Sequence, residues 1–177
     1  VVRRKDPAMR WMWIDTVVAY EPGRRMVAVK NVSLAEEHLH DHFPDQPVMP
    51  ASLMVEGMAQ TAGILVGSTR GFREKVILAK IGNVTLDSEV VPGQCIRYDA
   101  VIERMDDAGA STRGTIERLD HRTGTWERIG TTEIVFSHID QNRSGLAFPE
   151  ENFVFGENFR TLLRGAGLDR FMADAKA

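Results

Sequence analysis

The chain has 177 residues, 43% of them apolar and 27% charged, with a formal charge of −3. That is the balance of a soluble globular protein of about one domain, and without a basic stripe interleaved with aromatics it gives no reason to expect nucleic acid as a partner. The single cysteine, Cys95, excludes an internal disulfide framework and fits a reducing cytoplasm. No apolar run reaches the ~18 residues of a membrane span.

The opening stretch VVRRKDPAMRW lacks the apolar core of a signal peptide. From Trp11, WMWIDTVVAY reads as an extended, largely apolar segment. EPGRR follows as a turn, and MVAVKNVSL as a second strand, so the pair predicts an antiparallel hairpin. Next comes HLHDHFPDQPVMP, in which His38, His40 and His42 alternate and would share one face of an extended chain. Pro50 opens PASLMVEGMAQTAGILVGST, and proline suits a helix start because the N–H groups there are spare. The helix is predicted from Ser52 to about Val66, apolar almost all the way round and therefore buried. Its small residues Gly57, Ala59, Ala62 and Gly63 would let a sheet approach closely, and Gly67 and Gly71 are candidate terminators.

After Arg73 the period changes to two. VILAKIGNVTL, QCIRYDAVIERM, ASTRGTIERL and TWERIGTTEIVFSH each read as a strand, separated by the turns VVPGQ, DDAG and DHRTG. Two strands, one long helix and four strands make an α+β pattern, most economically an antiparallel sheet packed on the helix. The sequence divides into a domain over 1–139 and an extension over 140–177 that is not an independent domain. In the extension a loop precedes a short amphipathic helix with Phe159, Leu162, Leu163 and Leu168 on one side, expected to dock on the body or on a neighbouring subunit.

Three readings of the histidine segment are open. Three imidazoles with Asp41 nearby could hold zinc, although i, i+2 side chains on an extended chain splay too far apart to converge well. They could be surface residues. Or His42 could be a base paired with Glu56, the lone acid of the apolar helix. A carboxyl on such a helix is costly to bury while ionised, and that environment favours the protonated form a general acid needs. Gln60 stands at i+4 from Glu56, within hydrogen-bond reach. The N–H groups of Ala51 and Ser52, at the positive end of the helix, could hold a carbonyl oxygen as negative charge develops on it. Base, acid and oxyanion donors together suit proton abstraction beside a carbonyl, followed by loss of a β-leaving group.

HFPDQPVMPASLMVEGMAQTAGIL resembles the signature of the FabZ/FabA β-hydroxyacyl-(acyl carrier protein) dehydratases, roughly HFPGxPVMPGxLxxEAxAQ. AVKNVS upstream and VVPGQ downstream match in order and spacing, and the resemblance runs from about Trp11 to Ile139. It implies a hotdog fold, a sheet wrapped round one long helix. It also implies a homodimer, with possible higher assembly, whose active sites lie at the interface. His42 falls on the catalytic histidine and Glu56, from the other chain, on the catalytic acid. Ala51, with Ser52 beside it, falls on the oxyanion donor, Val48 on the carbonyl that orients the histidine, and Gln60 on the residue that supports the acid. His38 and His40 fall where the family has no histidine. The implied reaction is dehydration of a 3-hydroxyacyl thioester, carried on the phosphopantetheine of acyl carrier protein or coenzyme A, to a trans-2-enoyl thioester. It belongs to fatty-acid or related lipid or polyketide synthesis and requires neither metal nor redox cofactor. Glutamate at 56 resembles the FabZ branch, which does not isomerise the product.

Four departures set up rival expectations. Asp45 replaces a glycine and places a carboxylate three residues from His42. Ala51 replaces another, which is strained only if the backbone there has positive φ. Asp87 and Glu89 stand where the family is basic, so an acidic carrier protein would need another surface, for which Arg70, Arg73 and Lys75 are candidates. The family's N-terminal helix is short or missing, and the extension has no counterpart. The alternatives are a hotdog hydratase or thioesterase acting on coenzyme A esters, and a non-catalytic partner subunit or acyl-binding module.

Overall fold

The computed structural model describes residues 12–139, 152 and 154–165; the N-terminal stretch through Trp11 and the expected contribution of Leu168 lie outside them. Two strands, β1 (Thr16–Glu21) and β2 (Arg25–Asn31), form the predicted hairpin through a turn in which Gly23 takes φ 69°. The first strand begins later than its apolar run. Trp13 and Ile14 are buried ahead of it instead, and Asp15 N–H donates to the Val29 carbonyl. A short helix, α1 (His38–Asp41), follows, and then the long α2 (Ala51–Ser68). Strands β3 (Val76–Leu86), β4 (Cys95–Met105), β5 (Gly109–Asp120) and β6 (Thr125–His138) complete a six-stranded antiparallel sheet in the order β1-β2-β4-β5-β6-β3. The sheet curls round α2, which touches β2 through β6. This is the hotdog fold. A final helix, α3 (Glu157–Gly165), lies against the body through buried Phe159 and Leu163.

Helix α2 is buried on most of its circumference, including Met54, Met58, Ala62, Ile64, Leu65 and Val66. Each such large side chain contributes about 1.5–3 kcal/mol by leaving water. Packing this close requires a missing side chain at one point. A Cβ on Gly57 would overlap the ring and hydroxyl of Tyr98 on β4, itself wholly buried. Burial also holds the Tyr98 phenol neutral, far above the usual range. The helix stops where the Phe72 N–H reaches back to the Gly67 carbonyl at 2.9 Å and Gly71 takes φ 65°.

Strand β3 is an edge strand, bonded to β6 on one side only. Its exposed side chains include Leu78 and Ile81, each 44% accessible. A long unpaired edge with exposed apolar residues is a template for pairing with another strand.

Gly57→Ala sets a gain in helix propensity of up to about 1 kcal/mol against overpacking of about 1–3 kcal/mol. Because the Tyr98 ring has nowhere to go, overpacking wins. Denaturant unfolding should show a loss of about 1–2 kcal/mol.

Candidate active site

The three histidines do not line up on a strand. They occupy α1 and its exit, where successive alternate positions turn by about 200°, and each takes a different neighbour. His38 packs edge-on against Trp13, ring centroids 5.1 Å apart. His40 Nε2 lies 3.0 Å from the Leu34 carbonyl, which can only accept, so that nitrogen carries the proton. His42 Nδ1 stands 3.0 Å from the Val48 carbonyl. Among the described residues no group of three or more His, Cys, Asp or Glu is placed to share a metal ion.

The contact to Val48 fixes the tautomer of His42. A carbonyl only accepts, so Nδ1 carries a proton, and in the neutral ring Nε2 is the nitrogen with the free lone pair. The loop that makes the contact is closed by reciprocal backbone bonds. Val48 N–H donates to the His42 carbonyl at 2.9 Å, and Phe43 and Gln46 exchange bonds at 3.2 and 3.0 Å. The imidazole stacks on Phe43, centroids 4.4 Å apart.

His42 and Ala51 line one cavity of about 460 Å³, together with Met54 and the segment Leu86–Glu89. Pro50 caps α2 without a side-chain hydrogen bond, and no acid occupies the first turn. The N–H groups of Ala51 and Ser52 have no partner among the described residues, so the positive end of α2 is unquenched at this cavity. Ala51 is the first helical residue, and among the described residues Phe72 is the only non-glycine with positive φ. Alanine at 51 is therefore unstrained. Asp45 is exposed to solvent.

Glu56 lines a different cavity, of about 540 Å³, with Gln60, Gly63, Val76 and Leu78. Five residues past Ala51 it has turned by about 140° and risen by about 7.5 Å. Gln60 Nε2 donates to Glu56 Oε1 at 2.8 Å, while Gln60 Oε1 accepts the Trp13 N–H at 2.8 Å. The amide is thus held from behind and presents its donor to the acid. Within one chain Glu56 is exposed, contrary to the expectation of a buried carboxyl on an all-round apolar helix.

A model of the FabA-like domain matches residues 7–118. The chain belongs to that family. The 3-hydroxyacyl-[acyl-carrier-protein] dehydratase FabZ of Listeria monocytogenes is 36% identical over 110 residues, covering 60% of this chain and 76% of the relative. The namesake enzyme of Granulibacter bethesdensis is 32% identical over 127 residues, 70% of this chain and 65% of the relative. In fold the chain is similar to smu.793 from Streptococcus mutans, solved with acetyl CoA. The TM-score is 0.57 at 10% identity, over 76% of this chain and 96% of that one. It is similar too to an acyl-CoA hydrolase of Agrobacterium tumefaciens, with a TM-score of 0.53 at 18% identity, over 70% and 46%.

Against the FabA-like family, three features of the site were not legible beforehand. Trp13 supports Gln60 through its backbone, which no side-chain pattern announces. Asp87 and Glu89 were visible as an acidic patch but not as a wall of the His42 cavity. Phe155 and Phe159, from the extension, line the Glu56 cavity. The suggested basic docking surface needs correction. Arg70 is paired with Glu74 and Asp107, and Lys75 is buried; only Arg73 of the three stands exposed, its Nε donating to the Arg70 carbonyl.

Burial lowers the His38 pKa, Lys30 and His42 push the same way, and Glu36 opposes them. The folded state therefore binds this proton less well than the unfolded chain, and its stability contribution is lost as pH falls below the ordinary value of 6.5. His38→Phe keeps a ring against Trp13 and removes the proton. Its melting temperature should fall less steeply than wild type's between about pH 8 and pH 5.

Proposed function

We propose that the protein is a cytoplasmic hydro-lyase that dehydrates 3-hydroxyacyl thioesters to trans-2-enoyl thioesters in fatty-acid or related lipid or polyketide synthesis. Each active site is shared by two copies of the chain. The observation that carries the shared site is the placement of the two cavities at opposite ends of the free edge strand. The His42 cavity is walled by Leu86, the last residue of β3, and the Glu56 cavity by Val76 and Leu78 at its start. Antiparallel pairing of β3 with its copy sets the start of one strand beside the end of the other. The His42 of each chain then faces the Glu56 of its partner, and the exposed carboxyl becomes covered. Larger assemblies built from this dimer are compatible with the reading.

In the proposed reaction His42 Nε2 takes the proton from C2 of the acyl chain, next to the thioester carbonyl. The electron pair left behind spreads onto the carbonyl oxygen, which the Ala51 and Ser52 N–H groups receive. The pair then forms the C2–C3 double bond as the C3–O bond breaks. Glu56, held by Gln60, gives its proton to the departing oxygen, which leaves as water. The proton on His42 returns through solvent to restore the acid. These steps use protein groups alone, so the substrate's phosphopantetheine is the only prosthetic chemistry required. Asp87 and Glu89 on the cavity wall disfavour docking of an acidic carrier protein at this face, and comparing carrier-protein and coenzyme A thioesters in one assay distinguishes the carriers. The extension from 140 onward is read as part of this one unit.

His42→Ala and Glu56→Gln should each abolish hydration of crotonyl-CoA, followed as loss of enoyl absorbance. Mixed after co-refolding, the two inactive variants should recover about a quarter of wild-type activity, since half the dimers are hybrids and one site in each is intact. Recovery absent from demonstrated hybrids refutes the shared site, and thioester hydrolysis without hydration points to the thioesterase.

Ala51→Pro removes one oxyanion donor while suiting the first helical position, and Pro50 with φ −54° and ψ 133° already has the backbone that must precede a proline. The variant should fold normally, as read by circular dichroism, and lose about 10²–10³-fold in kcat.

A further inference from the structure

Glu56, Gln60, Gly63 and Gly67 form a stripe along α2, confined to about 60° of its circumference. The polar end of the stripe is the Glu56–Gln60 pair. Beyond it Gly63 has no side chain to fill the space, and the cavity there is walled by Ile64, Val76, Leu78 and Phe136. The far end is closed. A Cβ on Gly67 would come within 2.5 Å of Phe155 Cζ, so that ring sits directly on the helix. Phe159 packs against it at a tilt of 50°, centroids 5.2 Å apart, and both rings are buried. The segment is pinned by Asn152. Its Nδ2 donates to the carbonyls of Phe72 and Glu74 at 3.1 and 3.2 Å, and its Oδ1 accepts the Val154 and Phe155 N–H groups at 3.1 and 2.9 Å. The pinned segment, Asn152 to Phe159, lies beyond the matched residues 7–118.

We propose that Phe155 and Phe159 are the end wall of an acyl-chain pocket that begins at Glu56, and that they set the longest chain the protein accepts. The proposal rests on the dehydratase reading for the nature of the chain. A chamber polar at one end and apolar elsewhere fits a ligand with a reacting head and a methylene tail. From Glu56 to Gly63 the helix advances about 10 Å, a pocket for a chain of medium length that stops at the two rings. Neither ring reaches the reacting carbons, so the pair acts on chain length and not on the bond that breaks.

The test measures kcat/KM for 3-hydroxyacyl-CoA thioesters of increasing length in wild type, Phe155→Ala, Phe159→Ala and Ala59→Leu, the last filling the cavity from its side. Calorimetric binding of saturated acyl-CoA thioesters of the same lengths runs in parallel. The long-to-short ratio should rise about tenfold in the ring truncations and fall about tenfold in Ala59→Leu. A ratio unmoved in folded variants overturns the proposal. Should the truncations fail to fold, Ala59→Leu decides it alone. Should wild type dehydrate nothing, the dehydratase reading falls and the binding series decides: a shifted length profile sustains the end wall, and an unshifted one removes it.

Discussion

The site depends on the pitch of a helix. Ala51 and Glu56 stand five residues apart on α2, and an α-helix turns them about 140° from each other. No side-chain rotation brings the carboxyl round to the face where the N–H groups and His42 lie. The two halves of the chemistry therefore open into separate cavities. In the proposed dimer a second copy, paired at the free edge of β3, supplies the helix that joins them. The exposed Glu56 and the exposed Leu78 and Ile81 are the surfaces that the proposed pairing covers.

What the sequence disclosed divides by range. Strands β3 and β6 could be read to the residue, as VILAKIGNVTL and TWERIGTTEIVFSH, because runs rich in β-branched residues and bounded by turn residues are a local signal. The Glu56–Gln60 hydrogen bond follows from i, i+4 spacing in a helix whose apolar residues go all round. Helix α1 left no such trace. It is four residues long, its only buried side chain is Leu39, and that one insertion into the core, not periodicity, winds the chain there. Only the metal reading of the histidines assumes an extended chain. Lys75 failed for the complementary reason. Its charge is local and visible, but its burial is set by strands that arrive from far along the chain.

Glycine on α2 does two opposed jobs, and the contrast explains how one helix can be both core and site. At Gly57 the missing side chain is replaced at once by Tyr98, and the helix is locked against β4. At Gly63 the nearest atom a Cβ would meet is Phe136 Cε1 at 3.3 Å, and open volume remains beside it. At Gly67 the gap is filled again, by Phe155 from the extension. Gly57 faces the sheet, 100° round from Glu56, whereas Gly63 and Gly67 fall on the stripe that Glu56 heads. Spacing by 3.6 residues thus separates Gly57, locked against the sheet, from the stripe on which Gly63 leaves a pocket open and Gly67 is filled by Phe155. Of that pocket's walls, Phe136 on β6 and the two rings of the extension lie beyond the FabA-like match. On the proposed reading, chain-length preference belongs to a part of the protein remote from the helix start, the imidazole and the carboxyl.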